Sequence, residues 1–122
     1  MTACIVGGHW RSAPKLSALA LAERCAAFNL PQGVITQLYR AIAGGKPGVI
    51  TKIGLETFVD PALDGGAINA LARESVASGA RRFVEPLALR GERWLLYPSF
   101  PIDVALIRGT SVDARGNLAT EH

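Results

Sequence analysis

The chain has 122 residues, of which 49% are hydrophobic and 19% charged, and its formal net charge is +3. This length suits one domain with a real core, and the composition excludes an intrinsically disordered chain. The basic residues are scattered without interleaved aromatics, which argues against a nucleic-acid partner. There is no signal-peptide pattern and no apolar run of about 18 residues, so we expect a cytoplasmic protein with no membrane partner.

The two cysteines, Cys4 and Cys25, lie in apolar stretches, which predicts buried, reduced thiols. Cys4 and His9 would supply two metal ligands, but their spacing fits no standard motif and a third ligand is not visible. We therefore expect no metal site. No repeat or linker divides the sequence, which predicts a single unit over residues 1–122.

The first part of the chain alternates strand and helix patterns. Cys4-Ile5-Val6 predicts a short buried strand. A helix should follow, with Ser12 as its N-cap, Pro14 in its first turn and its end near Cys25. The apolar stripe of this helix is Leu16, Leu19 and Ala20.

A second strand and helix follow directly. Residues 26–30 predict the strand, and Pro31-Gln32-Gly33 opens a helix that stops at Gly44-Gly45. The predicted buried face of this helix is Val34, Ile35, Leu38, Tyr39 and Ile42.

Beyond this helix the pattern becomes richer in strands. Val49-Ile50 and Thr57-Phe58-Val59 predict extended segments, and residues 67–80 favour a helix that ends at Gly79. The residues predicted to form loops are Asp60-Pro61 and Asp64-Gly65-Gly66. Residues 83–89 and 94–97 predict two strands of a hairpin that turns at Arg90-Gly91-Glu92.

The last predicted strand covers residues 102–107. Val104-Ala105-Leu106-Ile107 is apolar without alternation, which is typical of a strand covered on both faces, and the run breaks at Arg108-Gly109-Thr110. We expect this strand to lie in one sheet with the first two strands. The whole pattern predicts an α/β fold with an open, mostly parallel or mixed sheet flanked by helices.

Two turns are candidate places for chemistry, because ligands in open α/β sheets bind beyond the carboxyl ends of the strands. Gly7-Gly8-His9-Trp10 follows the first strand, where paired glycines permit close approach and His9 can exchange protons. Asn29-Leu30-Pro31-Gln32-Gly33 follows the second, and Gln32 offers a donor and an acceptor beside a helix amino end. Both turns should lie at one sheet edge, with His9 and Gln32 in one cleft. A packed turn and an ordinary first-turn helix residue explain the same residues equally well.

A third candidate lies between Gly54 and Pro61, where Glu56 and Asp60 place two carboxylates near a glycine. Exposed loop acids are the ordinary interpretation of such residues. No Ser-His-Asp arrangement, phosphate-binding loop or H-E-x-x-H zinc motif is present.

Nearly the whole sequence resembles the class I CoA-transferases of the acetate/propionate/acetoacetate type, in which two homologous halves are fused. The resemblance rests on five segments in the same order, namely Gly7-Gly8-His9-Trp10, residues 29–35, Lys46-Pro47-Gly48, residues 54–61 and residues 100–110. The strand followed by Asp113-Ala114-Arg115-Gly116-Asn117-Leu118 adds to it. The resemblance implies an α/β, CoA-transferase-like but incomplete fold, with residues 1–122 forming part of the first-half (alpha-type) domain.

The resemblance also implies a reaction. In this family a glutamate carboxylate attacks an acyl-CoA thioester, and the resulting anhydride collapses to a glutamyl-CoA thioester, from which a second acid takes the CoA. Such covalent catalysis divides one difficult transfer into easier steps, and backbone amides stabilise the developing oxyanion. Coenzyme A is then a substrate, and no cofactor is expected.

This sequence departs from the family pattern in one decisive respect. The nucleophilic glutamate lies in the second half of such enzymes, and the glutamates of this chain are in other contexts, namely Glu23, Glu56, Glu74, Glu85, Glu92 and Glu121. Glu56 stands where relatives often carry glycine. We therefore expect no catalytic residue here and no transfer activity of the chain alone. The substrate-binding residues implied by the resemblance are Gln32, His9, Asn29, Gly8 and Gly33.

The expected partners are acyl-CoA, a short-chain carboxylate and the remainder of the CoA-transferase or a second half, with homo-oligomers formed by the full-length protein. Two alternatives remain open. One is a non-catalytic truncated paralogue that binds acyl-CoA or a partner. The other is a sugar-phosphate isomerase of the same general fold, although neither its phosphate loop nor its acid/base pair is evident.

Overall fold

Three small sheets and three α-helices form the fold in the computed structural model, which describes residues 4–120. The strands are β1 (Cys4–Gly7), β2 (Ala26–Asn29), β3 (Gly48–Thr51), β4 (Glu85–Leu89), β5 (Glu92–Pro98), β6 (Ser111–Val112) and β7 (Leu118–Ala119). The helices are α1 (Pro14–Leu21), α2 (Gln32–Ala43) and α3 (Ala70–Ala77), and a short 3-10 helix spans Trp10–Ser12. This arrangement confirms the predicted mixed α/β class.

The first sheet consists of β1 and β2, which run parallel with Cys4 opposite Ala26 and Gly7 opposite Asn29. α1 lies between them in the chain, as a crossover between parallel strands requires. The carboxyl ends of both strands therefore meet at the same edge of the sheet.

The second sheet has the order β3-β5-β4 and is antiparallel. Arg90 and Gly91 connect β4 to β5 with φ values of 52° and 78°. Two consecutive positive φ values are typical of the type I′ turn, whose twist matches that of a hairpin. The hairpin predicted from the sequence is confirmed.

α2 covers the first part of the core with its apolar face. Val34, Ile35 and Leu38 are buried as predicted, whereas Tyr39 is exposed and Ile42 is only half-buried. The core residues that pack with α2 come from both sheets and from the loop before α3, namely Leu30, Val59, Val84, Leu95 and Tyr97. Phe28 and Phe83 join this region to a second cluster through an edge-to-face contact of 4.9 Å.

Asn69 connects three elements through four hydrogen bonds. Its Oδ1 accepts from the backbone N–H of Ala27 at 3.0 Å and of Ala72 at 3.1 Å, which caps α3. Its Nδ2 donates to the carbonyl oxygens of Ala20 at 3.0 Å and Cys25 at 2.8 Å. Every polar atom of this buried amide has a partner, so α1, β2 and α3 are held in fixed positions.

The prediction of a final strand over residues 102–107 is wrong. These residues form no strand or helix, share no sheet with β1 and β2, and are exposed. The apolar run indicated burial, but within residues 4–120 no neighbouring strand lies beside it. The prediction of extended structure at Thr57-Phe58-Val59 is also wrong, because this segment consists of turns.

The start and end of the first helix also differ from the prediction. Ser12 lies in the 3-10 helix and its Oγ donates to the carbonyl of His9 at 2.8 Å, so Ala13 takes the N-cap position of α1. The helix ends at Leu21 rather than near Cys25, and Leu16 of its predicted apolar stripe is exposed.

Candidate functional site

The candidate site lies at the carboxyl edge of β1 and β2. The backbone N–H of Leu30 donates to the carbonyl of Gly7 at 3.0 Å, which extends the strand pairing up to the two turns. Beyond this bond the chain leaves β1 through Gly8 and His9, and leaves β2 through Leu30 and Pro31 into α2. The two turns therefore lie at a common edge, as predicted.

Gly8 brings the two turns into contact. A Cβ atom at this position would overlap the side chain of Gln32 and lie 3.0 Å from its Cα atom. Only glycine leaves room for such close approach of a backbone to a neighbouring residue. The structure thus places Gly8 and Gln32 side by side.

Gln32 is the first residue of α2 and is exposed, and Gly33 follows it with open space around its Cα atom. The first helical bonds are donated by Val34 and Ile35 to the carbonyl of Pro31, at 2.9 Å and 3.1 Å. The backbone amides of Gln32 and Gly33 donate to no residue between positions 4 and 120. A helix start with free amides favours anions and carbonyl oxygens.

Asn29 ends β2 and its backbone N–H donates to the carbonyl of Gly66 at 2.8 Å. Its Oδ1 is buried and has no hydrogen-bond partner among the described residues, and the same is true of Nε1 of Trp10. The Trp10 ring packs over Gly7, where a Cβ atom would lie 3.2 Å from Nε1. Since Gly7 is opposite Asn29, these two unpartnered polar groups lie at the same end of the sheet. Unsatisfied polar groups of this kind are rare and often mark functional sites.

His9 is exposed and is adjacent to Gly8 in the chain. No hydrogen bond joins it to Gln32 in the described part of the chain. The structure therefore brings His9, Gly8, Asn29, Gln32 and Gly33 to one edge, while their role in substrate binding stays a prediction.

The third candidate segment has a different organisation from the one expected. Asp60 is buried rather than an exposed loop acid, and it accepts hydrogen bonds from the backbone N–H of Glu56 at 2.9 Å and of Ala62 at 3.0 Å. It also pairs with the guanidinium of Arg93. Burial alone would raise the pKa of Asp60, but the two N–H donors and Arg93 together hold it below its usual value.

This network is structural, because Asp60 fixes the turns of residues 53–60 against β5. Tyr97 on β5 takes part, since its hydroxyl donates to the carbonyl of Ile53 at 2.8 Å, and burial together with the nearby Asp60 charge raises its pKa to about 12. Sequence reasoning missed this role of Asp60, because the partner Arg93 is distant in the chain and only an Asp preceding Pro hinted at a local turn.

The other predicted features agree with the sequence or gain no support. Cys25 is buried and Cys4 half-buried, and both are free thiols. Burial raises the pKa of Cys4, although the neighbouring Arg81 opposes this effect. Among residues 4–120 no group of three or more His, Cys, Asp or Glu side chains is arranged to hold a metal ion. None of the helices in this range is long and apolar enough to cross a membrane.

Comparison with known proteins identifies the family. The coenzyme A transferase family model matches residues 3–122. The chain is 46% identical over 114 residues to the caffeate CoA-transferase of Acetobacterium woodii, and 38% identical over 109 residues to the acetate CoA-transferase YdiF of Escherichia coli K12. These alignments cover 93% and 89% of the chain but only 20% and 19% of the two relatives.

Solved structures agree. The chain superposes on the apoenzyme of the acyl-CoA transferase YdiF from E. coli O157:H7 with a TM-score of 0.83 and 35% identity, over 95% of this chain and 21% of that one. A second structure of the same enzyme, a thioester complex with CoA, matches with the same TM-score and covers 22% of that chain. The chain therefore belongs to the coenzyme A transferase family, and it spans about a fifth of the length of the relatives it matches.

Proposed function

We propose that this chain forms one wall of the acyl site of a CoA-transferase, as part of its first-half domain, and that the nucleophilic glutamate comes from polypeptide outside these 122 residues. The transferase moves CoA between a short-chain acyl-CoA and a free carboxylic acid. The observation that carries the proposal is the convergence of Gly8, Asn29 and Gln32 at the carboxyl edge of β1 and β2.

The chemistry of this edge suits an acyl group. The free amides at the start of α2 and the amide of Gln32 are donors for a carbonyl or carboxylate oxygen. The exposure of Gln32 leaves it accessible to a ligand. His9 and Gly33 complete the proposed wall, and coenzyme A acts as substrate with no additional cofactor.

Several glutamates of this chain are engaged elsewhere. Both carboxylate oxygens of Glu23 accept from the N–H groups of Ala70 and Leu71 at the start of α3, and Glu92 pairs with Lys52 at 3.1 Å. Glu121 lies outside the described residues. In the proposed reaction an external glutamate attacks the thioester and expels CoA thiolate, forming an anhydride. The thiolate then attacks the glutamyl carbonyl and releases the first acid, and a second carboxylate reverses both steps.

A graft tests this proposal. The 122 residues replace the matched segment of the E. coli acetate CoA-transferase YdiF, and transfer of CoA from acetyl-CoA to propionate is measured together with the glutamyl-CoA adduct by mass spectrometry. We expect transfer by the graft and none by the isolated chain. A folded graft that forms no adduct contradicts the proposal, and a glutamyl-CoA adduct on the isolated chain contradicts the external nucleophile.

The second candidate is a non-catalytic fragment that binds acyl-CoA or a partner chain. The exposed apolar segment of residues 102–107 favours partner binding. A graft that folds and binds CoA without transfer supports this alternative. In either case we propose a cytoplasmic location and, for the full-length parent, a homo-oligomer.

A further inference from the structure

An apolar groove separates β1 from the segment of residues 102–107. Its volume is about 1260 Å³, which exceeds the ~300–1,000 Å³ of typical small-molecule sites. The residues that form one side belong to β1 and α2, namely Cys4, Val6, Ile35, Leu38, Tyr39 and Ile42. The other side is Phe100 and residues 101–108, and the charged lining residues are Arg81 and Arg108.

Both sides of the groove carry unpaired backbone. β1 pairs with β2 along one edge, and along its other edge no strand of residues 4–120 lies beside it. Residues 101–108 make no hydrogen bond to any other described residue. Unpaired N–H and C=O groups along an extended segment are a template for a further strand.

The side chains of the outer segment are those of a buried strand but are exposed here. Leu106 is 98% exposed, Val104 77% and Ile107 74%. The segment is nevertheless anchored at its start, because Phe100 contacts Phe83 edge-to-face at 6.1 Å between ring centroids. A contiguous apolar patch of this kind marks an interaction surface.

We propose that this groove receives one apolar β-strand from a segment of CoA-transferase polypeptide outside the 122 residues, and that the strand lies between β1 and residues 102–107. Insertion satisfies the free edge of β1 and gives Val104, Leu106 and Ile107 a neighbour. It also explains why an apolar run typical of a covered strand lies apart from the sheet that it was expected to join. The inference deepens the proposed function by naming the structural partner of this chain.

The choice of occupant follows from the size and lining of the groove and from the length of the relatives. The groove is too large and too apolar for the acyl end of a substrate alone. The chain spans only 20% of the caffeate CoA-transferase, so most of such a protein is available to supply a strand. One further strand between two others spans two spacings of about 4.8 Å.

Hydrogen exchange of the complete 122-residue chain tests the proposal. The probes are synthetic peptides of about 15 residues, longer than the ~3–10 residues of a strand, that cover the parts of E. coli YdiF outside the matched region. At least one peptide should slow amide exchange by about tenfold or more in Cys4–Gly7 and in residues 104–107 together. Failure of every peptide to protect both segments overturns the proposal.

Two other results would also overturn it. Protection that increases with protein concentration without peptide identifies a second copy of this chain as the occupant. Protection by acetyl-CoA alone identifies a small-molecule site. Because the measurement involves no catalysis, a graft that fails to transfer CoA leaves this result unaffected.

A pair of matched variants makes the test specific. Leu106→Asp places a charge within the groove and should abolish peptide protection. Leu21→Asp is the control, since Leu21 is 86% exposed at the end of α1 and does not line the groove. Equal loss of peptide binding in both variants would overturn the assignment, and neither change is expected to unfold the chain because both side chains are exposed.

Discussion

Glu56 shows how one backbone angle explains a departure from the family pattern. Its φ is 60°, which is the left-handed region that favours glycine. The resemblance placed glycine at this position in relatives, and the turn geometry gives the physical reason. Its backbone N–H is engaged with Asp60, so the conformation is fixed by the network and not by the Glu56 carboxylate.

We therefore predict that Glu56→Gly is neutral or slightly stabilising. A left-handed conformation costs a non-glycine residue about 1–2 kcal/mol, and the greater unfolded-state freedom of glycine offsets about 0.5–1 kcal/mol of that relief. Urea unfolding measures the difference. Glu56→Ala removes the same carboxylate but keeps the unfavourable angle, so a glycine variant that is less stable than the alanine variant would contradict this account.

Asp60 makes stability depend on acid pH. Its folded pKa is below the ordinary 3.8, so its contribution is fully present above that value and is lost as pH falls through it toward the folded pKa. Asp60→Asn should lower the free energy of unfolding at neutral pH by about 2–4 kcal/mol, since a buried acceptor of three hydrogen bonds loses its charge. The difference between variant and wild type should shrink below pH 3.8.

The control for this prediction is Asp64→Asn. Asp64 pairs with Arg73 at 3.3 Å on the surface, where such pairs contribute about 0–1 kcal/mol. Urea unfolding at neutral and acid pH distinguishes the two sites. A loss of similar size in both variants, or one that persists unchanged at low pH for Asp60→Asn, argues against the buried carboxylate as the source.

At the scale of elements, Asn69 determines how α1, β2 and α3 fit together. We predict that Asn69→Ala lowers the free energy of unfolding by about 3–5 kcal/mol. The change removes a helix cap, which contributes about 0.5–2 kcal/mol, and leaves buried partners unsatisfied at about 1–3 kcal/mol each. Chemical denaturation measures the loss. Ser78→Ala removes a single exposed hydrogen bond at the other end of α3 and should change stability little, so comparable losses would refute the role of Asn69.

Local patterns predicted the elements whose causes are local. The β4–β5 hairpin follows from the Arg90-Gly91 turn, and α2 follows from its apolar period and from the glycines that end it. The position of the two candidate turns at one edge follows from parallel β1 and β2. Predictions failed where the decisive partner is distant, as for Thr57-Phe58-Val59, whose turns depend on the pairing of Asp60 with Arg93.

The whole molecule explains the largest failure. The apolar run of residues 102–107 correctly indicated a segment suited to burial, but burial requires a neighbour that residues 4–120 do not supply. A sequence pattern records how buried a segment is in the complete fold and not which part of the protein covers it. The same limit applies to the site, since the edge of β1 and β2 supplies donors for an acyl oxygen but no nucleophile.

The role of Gln32 can be measured only in a complete transferase, such as the graft into YdiF. We predict that Gln32→Ala in that graft lowers kcat/KM by about 2- to 12-fold, because a hydrogen bond to a neutral group contributes roughly 0.5–1.5 kcal/mol. Gln37→Ala is the matched control, since Gln37 is an exposed glutamine on the same helix. Urea midpoints should be unchanged in both variants. If the two variants transfer CoA equally well to every acid tested, Gln32 is only the first residue of a helix.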